Sequence, residues 1–330
     1  MPRLELRSVL DRDTLDAILS LIDTATRMEG HRPVGEHKYS HLKLDATGWG
    51  GVLAWDGDHL VGYAHMRWNA REDVPRTAVE VVVHPDWYGS DVAERLLTEV
   101  RALVGRTGGG VLFVWVHHVQ DSSTTLVARM GFAVQRELAF MARPLPSAPE
   151  VADLPEGITL RAYREGVDDE AFLRVNNAAF EGHPENGGWD LAEFAERRAR
   201  SWFDAQGLLM AWRMAPDGAE RCLGFHWTKW HAHDSDEVPA HEPVGEVYVL
   251  GVDPTAQGLG LGRTLLRAGL AYLRSRGCRQ AILYVDLASA GAVALYESEG
   301  FRTQYAEVCY AEDVPALLSE EPRELRRPAE

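Results

Sequence analysis

One pattern occurs twice in this chain, and that duplication limits the possible folds more than any composition figure. The stretch VEVVVHPDWYGSDVAERLLTEVRALV is answered by VLGVDPTAQGLGLGRTLLRAGLAYL, and the spacing from Pro85 to Phe132 equals that from Pro254 to Phe301. Upstream, LELRSV is answered by ITLRAY, and GGVLAWDGDHLVGYAHMRW by LLMAWRMAPDGAERCLGFHWTKW. Two copies of one α/β domain explain these matches better than one oversized domain. Pro144, Pro146, Pro149 and Pro155 crowd the stretch between them. The expected division is a first domain over 1–142, a linker over 143–157 and a second domain over 158–330.

Within each copy the order reads strand, helix, strand–turn–strand, strand, turn, helix, strand, short helix, strand. In the second copy, the apolar run from Val247 to Val252 is punctuated by Asp253 and Pro254, and an amphipathic helix follows from Leu265. The turn between them carries Gln257, Gly258, Gly260 and Gly262. Glycines in such a turn let successive backbone N–H groups approach an anion, and the incoming helix adds its positive end. The Lys-Ser/Thr ending of a phosphate-binding P-loop is missing, and the spacing differs from a dinucleotide fingerprint. A turn needing glycines only for its backbone angles is the plainer reading. In the first copy Tyr88, Asp91 and Ala93 stand where Gln257, Gly260 and Gly262 do. A carboxylate at Asp91 opposes a bound phosphate, so the second turn is the better anion site.

The formal charge of -16, from 34 basic and 50 acidic residues, disfavours a nucleic-acid or anionic-membrane binder and suits a cationic amine. No apolar run is long enough to span a bilayer, and the start MPRLELRSVL does not read as a secretory signal. Cys222, Cys278 and Cys309 form no disulfide framework and no metal motif. A cytoplasmic monomer without a metal is the expectation.

Glu246 precedes the glycine-rich turn on a strand, and period-two alternation places it on one face with Tyr248 and Leu250. A carboxylate there could take an amine proton directly or through water, or it could be an exposed edge charge. Tyr296, in AVALYESEGF, sits on a short helix; its phenol could protonate a leaving group or fill a helix–sheet contact. Tyr284 faces either core or cleft. Glu36, Glu185 and Lys229 are scattered polar candidates that also read as surface residues. His226, His231 and His233 cluster without a zinc signature, so neither a metal site nor a catalytic histidine is expected. Trp227 and Trp230 read as packing or cleft-lining residues rather than base-stacking ones.

VLGVDPTAQGLGLGRTLL followed by AVALYESEGF resembles the acetyl-coenzyme A core of the GNAT N-acetyltransferases. Two such domains in tandem, each α/β with a mixed sheet, would cover nearly the whole chain. EGHPENGGW, GFHWTKWH, GEVYVLGVDP and LYVD resemble more specifically the mycothiol synthases, a family that acetylates the cysteinyl amine of a cysteine–glucosamine–inositol conjugate. The resemblance implies that acetyl-CoA enters where parallel strands splay. Backbone groups of Leu250, Gly251 and Val252 would meet the pantetheine arm. Those of Gln257, Gly258, Leu259, Gly260, Leu261, Gly262 and Arg263 would cradle the pyrophosphate. Ser289, Ala290, Gly291, Ala292, Val293 and Ala294 would form the later cofactor contact, with Ser289 in place of the family's asparagine.

By the same resemblance Glu36, Glu185, Lys229, Glu246 and Tyr284 would bind the amine substrate, Glu246 would be the water-mediated base and Tyr296 the general acid. The first copy, with Val127 in place of Tyr296, would be non-catalytic. Acetyl-CoA contacts there would fall at Val82, Val83, His84, Tyr88, Gly89, Ser90, Asp91, Val92 and Ala93. Competing readings are a GNAT enzyme for another small or peptide amine and a non-enzymatic acyl-CoA sensor.

Overall fold

The structure is a computed structural model. It describes residues 1–30, 33–34, 42, 49–69, 75–117, 121–150, 154–181, 183, 186–215, 218–231 and 243–317, without the side chains of 49, 68, 69, 121 and 122. Glu36, Glu185 and His233 lie outside the described residues. The chain forms two compact units, one of Met1–Leu138 with Tyr305–Glu330 and one of Ala139–Gln304.

In the first unit, β1 (Arg3–Arg7), β2 (Trp49–Asp56), β3 (His59–Asn69) and β4 (Arg76–Val83) run as an antiparallel series. Helix α1 (Arg12–Glu29) starts where the Asp11 side chain accepts the Thr14 N–H at 2.8 Å, and stops at Gly30 with φ 77°. Helix α2 (Val92–Arg106) carries the chain from β4 to β5 (Gly110–Val116), which pairs parallel to β4. Helix α3 (Asp121–Arg129) and β6 (Ala133–Pro144) follow. Leu96, Leu97, Val100 and Val104 of α2 pack on Val79, Leu112 and Val114, while Ile18, Leu21 and Ile22 of α1 pack on Tyr63 and Val82 across the sheet.

The second unit repeats the plan: β7 (Ile158–Ala162), α4 (Asp169–Ala179), α5 (Leu191–Arg198), β8 (Leu208–Met214), β9 (Glu220–His231), β10 (Val244–Val252), α6 (Leu261–Ser275), β11 (Gln280–Asp286) and α7 (Ala290–Ser298). Strands β7 to β10 are antiparallel neighbours, and β11 is parallel to β10. Helix α5 opens with a capping box between Asp190 and Glu193. One sheet face is covered by an aromatic core of Phe172, Trp189, Phe194, Phe225 and Trp227, the other by Leu265, Leu266, Leu270 and Leu273 of α6.

Closure of each sheet departs from the expected contiguous division. The last strand, β12 (Arg302–Val314), pairs antiparallel with β5, from Val308 opposite Val116 to Val314 opposite Gly110. The chain's C-terminal strand therefore completes the first unit. The end of β6 lies beside β11 in the second, with Ala139 and Met141 in that unit's core. A cut at residue 142 would leave the β5 edge without its strand, and an unpaired edge invites aggregation. A bare linker over 143–157 is not observed either, because Leu145 is buried and its N–H donates to the Arg279 carbonyl at 2.6 Å.

Candidate active site

The second unit's two parallel strands stay paired only from Val244 opposite Gln280 to Glu246 opposite Ile282, after which they part. At that point β10 carries a bulge: Val247 pairs with Thr228 and Val249 with Trp227, so Tyr248 is inserted. The bulge corrects the alternation read from sequence. Glu246 and Tyr248 both reach the aromatic face, but Leu250 is turned to the α6 side, where it packs with Leu265 and Leu266. Tyr248 lies 4.8 Å from the Trp202 ring and 5.3 Å from that of Trp227, and its hydroxyl accepts from Arg197 at 3.2 Å.

Glu246 is not an exposed edge charge. It is buried, directly opposite Lys229, whose Nζ is 3.6 Å from Oε2; the His231 Nε2 is 2.7 Å from the same oxygen. Burial alone would raise the carboxyl's pKa, but the Lys229 ammonium and the His231 imidazole outweigh it and hold the group below its ordinary range. Lys229 is likewise buried rather than a surface cation, with its Nζ 5.3 Å from the centre of the Trp202 ring. His231 is the residue that reading the sequence passed over. Its signal was present: Lys229 and His231, two apart on a strand, share a face.

Tyr284 is half exposed, with its ring 5.1 Å from Phe140. Alternation on β11 buries Ala281, Leu283 and Val285 against the helices, so Tyr284 shares the Ile282 face, which is that of Glu246. Tyr296 comes from the other side. Its ring is buried with Leu266, Val285 and Phe301, and among the described residues its hydroxyl has no partner. Burial pushes the phenol's pKa up, so it stays protonated. Glu246 and Tyr296 thus approach the opening between β10 and β11 from opposite faces.

Below the opening, Asp253 fixes the turn by accepting from Thr255 N at 3.0 Å and Arg174 at 2.6 Å. Gly258 has φ 81° and Gly260 φ 73°, values that side-chain-bearing residues rarely adopt. Gly260 is the N-cap of α6 and no side chain caps the helix, so its first amides are open to an anion. Residues 257–260 are exposed, and Gly262 has room around it: a Cβ added there would meet nothing nearer than 3.6 Å. Ser289 likewise precedes α7 without a side-chain cap. These features fit a pyrophosphate with a thin pantetheine arm. The Arg263 guanidinium is bound to Glu299, leaving its backbone for the turn.

The remaining candidates are structural. His226 is fully buried, its Nδ1 2.9 Å from the Leu265 carbonyl, and burial lowers its pKa to about 4. Burial raises Cys222 to about 12 and Cys278 to about 11, leaving neither as a thiolate. Trp227 is core; Trp230 lies under Arg276. Among the described residues no group of three or more His, Cys, Asp or Glu could hold a metal ion, and no helix is long and apolar enough to cross a membrane.

The first unit places its candidates differently. Its parallel pair parts after Val79 opposite Val114, and β3–β4 runs through without a bulge. By register Ala78, opposite Arg67, stands where Glu246 faces Lys229. Val127 is buried in the core. The turn has Gly89 at φ 78°, but Asp91, with φ -82°, caps α2 where Gly260 caps α6. Tyr88 is tied by its hydroxyl to Glu29. Val82 is buried against α1, while Val83 and His84 are half-buried and Ser90 is exposed.

The acetyltransferase (GNAT) family model matches residues 15–132 and 172–301. The mycothiol acetyltransferase of Acidothermus cellulolyticus is 39% identical over 93% of this chain and 94% of its own. That of Nocardia farcinica is 43% identical over 92% and 95%. In fold, the chain matches a GCN5-related N-acetyltransferase from Sphaerobacter thermophilus with a TM-score of 0.71 at 21% identity, covering 95% of this chain and 97% of that one. A tandem GNAT protein from the clavulanic acid biosynthesis pathway gives 0.73 at 17%, covering 96% and 100%. The chain belongs to the GNAT acetyltransferase family, in the branch of its mycothiol acetyltransferase relatives.

Proposed function

We propose that this protein transfers the acetyl group of acetyl-CoA directly to the cysteinyl amine of a cysteine–glucosamine–inositol conjugate, forming mycothiol and CoA. The carrying observation is Glu246, a buried carboxylate held ionised by Lys229 and His231 at the point where β10 and β11 part. Acetyl-CoA, when bound, supplies the acyl thioester. Uncapped amides at the start of α6 hold the phosphates, and the backbone from Leu250 to Val252 orients the arm and donates to the developing oxyanion. Glu246 receives the amine proton through water, and Tyr296, kept protonated by burial, returns a proton to the departing thiolate.

Tyr284 lies on the acceptor side by strand alternation, and the family resemblance adds Glu36 and Glu185. We assign Lys229 to supporting Glu246, a role its burial and 3.6 Å contact favour, beside any contact with substrate. The first unit serves as a non-catalytic partner, a reading supported by Ala78, Val127 and Asp91 at its equivalent positions. Cofactor contact there at Val82 to His84 and Tyr88 to Ala93 is an expectation from the resemblance. Three free, buried cysteines favour a cytoplasmic location.

The test is acetyl transfer to the cysteinyl conjugate beside a panel of small and peptide amines, with product analysis separating N- from S-acetylation. Selective N-acetylation of the conjugate is expected. Equal rates across the panel would contradict the substrate assignment, and cofactor binding without turnover would contradict the enzyme assignment.

A further inference from the structure

We infer that Glu299 is a positioning residue for Tyr296, tying the helix that carries the phenol to the helix whose N-terminus faces the cofactor's phosphates. The inference rests on the function proposed above. Glu299 is the C-cap residue of α7, one turn after Tyr296, and its side chain is only 4% exposed. Its carboxylate accepts from Arg267 Nε at 2.9 Å and Nη2 at 3.0 Å, and also from Arg263. Both arginines lie in the first turns of α6, directly after the glycine-rich turn. The Glu299 carbonyl accepts from Arg143, whose guanidinium lies 5.8 Å from the centre of the Phe301 ring. That ring stands edge-on to Tyr296 at 5.8 Å. A continuous chain of contacts therefore runs from the start of α6 to the phenol.

A buried carboxylate costs stability unless it is paired with good geometry, and the forked arginine contact supplies that geometry. The first unit shows that the fold itself does not need a buried carboxylate at this position. At the equivalent positions, offset by the repeat spacing, Met130 replaces Glu299, Glu94 and Thr98 replace Arg263 and Arg267, and Val127 replaces Tyr296. There Arg101 meets the Met130 carbonyl at 2.6 Å and the Glu312 carboxylate at 2.8 Å, and Arg129 of α3 pairs with Glu94 of α2 at the exposed surface. An ion pair joins the two helices in both copies, but the buried carboxylate held by two arginines occurs beside the phenol, and the single exposed pair beside the valine. A single exposed pair suffices to join the two helices in the first copy, so packing alone does not call for a buried carboxylate forked between two arginines. Helix α7 is short and has no side-chain cap at its start, so its position depends on the anchored end.

The test is a double-mutant cycle in the full-length enzyme, with Glu299→Gln made alone and in a Tyr296→Phe background. Glu299→Gln should lower kcat about tenfold with the amine KM little changed, and by less than about twofold once the phenol is gone. Arg267→Gln, which keeps the carboxylate and alters the solvent side, should follow the same pattern and covers the case where Glu299→Gln does not fold. Equal losses in both backgrounds, or an unchanged kcat, would overturn the inference while leaving the proposed function intact. An unchanged kcat for Tyr296→Phe alone would overturn the acid assignment, and the positioning role with it.

Discussion

The two copies differ most where their parallel strands part, and the difference lies in what the buried charges are aimed at. In the second copy Glu246 meets Lys229 and His231 beside an inserted residue, above a turn whose amides are free. In the first, the acid stands just past the paired stretch, at Glu80, and is closed in upon itself. His117 sits between Glu80 and Glu307, its two ring nitrogens each 3.1 Å from a carboxylate oxygen. Glu307 comes from β12, so this cluster fastens the chain's last strand to the unit it completes. On the proposed function, one fold thus uses a buried acid as a reaction group in one copy and as a structural clasp in the other.

Replacing the phenol should separate the copies most sharply among the helix residues. Tyr296→Phe should reduce kcat about 10- to 100-fold with little change in either KM, read by steady-state kinetics. A smaller effect is expected from giving the second turn the first copy's residue. Gly260→Asp forces a side chain onto φ 73° and sets a carboxylate beside the phosphates, so the acetyl-CoA KM should rise about tenfold while the amine KM holds. An unchanged acetyl-CoA KM would place the phosphates elsewhere.

The smallest effect concerns the clasp. Burial alone would lower the His117 pKa, but Glu80 and Glu307 outweigh it and raise it from 6.5 to about 10. A raised folded-state value means the stabilisation is fully present below about pH 6.5 and is lost as the pH climbs through about 10. The denaturation midpoint of His117→Gln should therefore trail the wild type most at about pH 6, with the gap narrowing toward about pH 10. A gap independent of pH would show that the imidazole is held neutral.

Much of this was legible in the chain. The repeat, the glycine-rich turn and the strand carrying Glu246 all rest on local periodicity and spacing, which the sequence displays directly. The Tyr248 bulge was not, because alternation is assumed until pairing with β9 interrupts it. The placement of β12 on β5 was also hidden: strand partners are chosen across the whole chain, and β6 and β12 carry similar local patterns. That Lys229 and His231 share a face was legible on β9, but their meeting with Glu246 follows from the β9–β10 register.

The central claim is that catalysis belongs to the second copy's buried acid and not to the first's. Acetyl transfer from acetyl-CoA to the cysteine–glucosamine–inositol amine should be measured side by side for Glu246→Gln and Glu80→Gln in folded, full-length protein. Glu246→Gln should lose about 10²- to 10⁴-fold in kcat, while Glu80→Gln should stay within about threefold of the wild type, as expected for a group acting only on stability. A Glu246→Gln variant that keeps its rate, or a Glu80→Gln variant that loses it while still folded, would contradict the account.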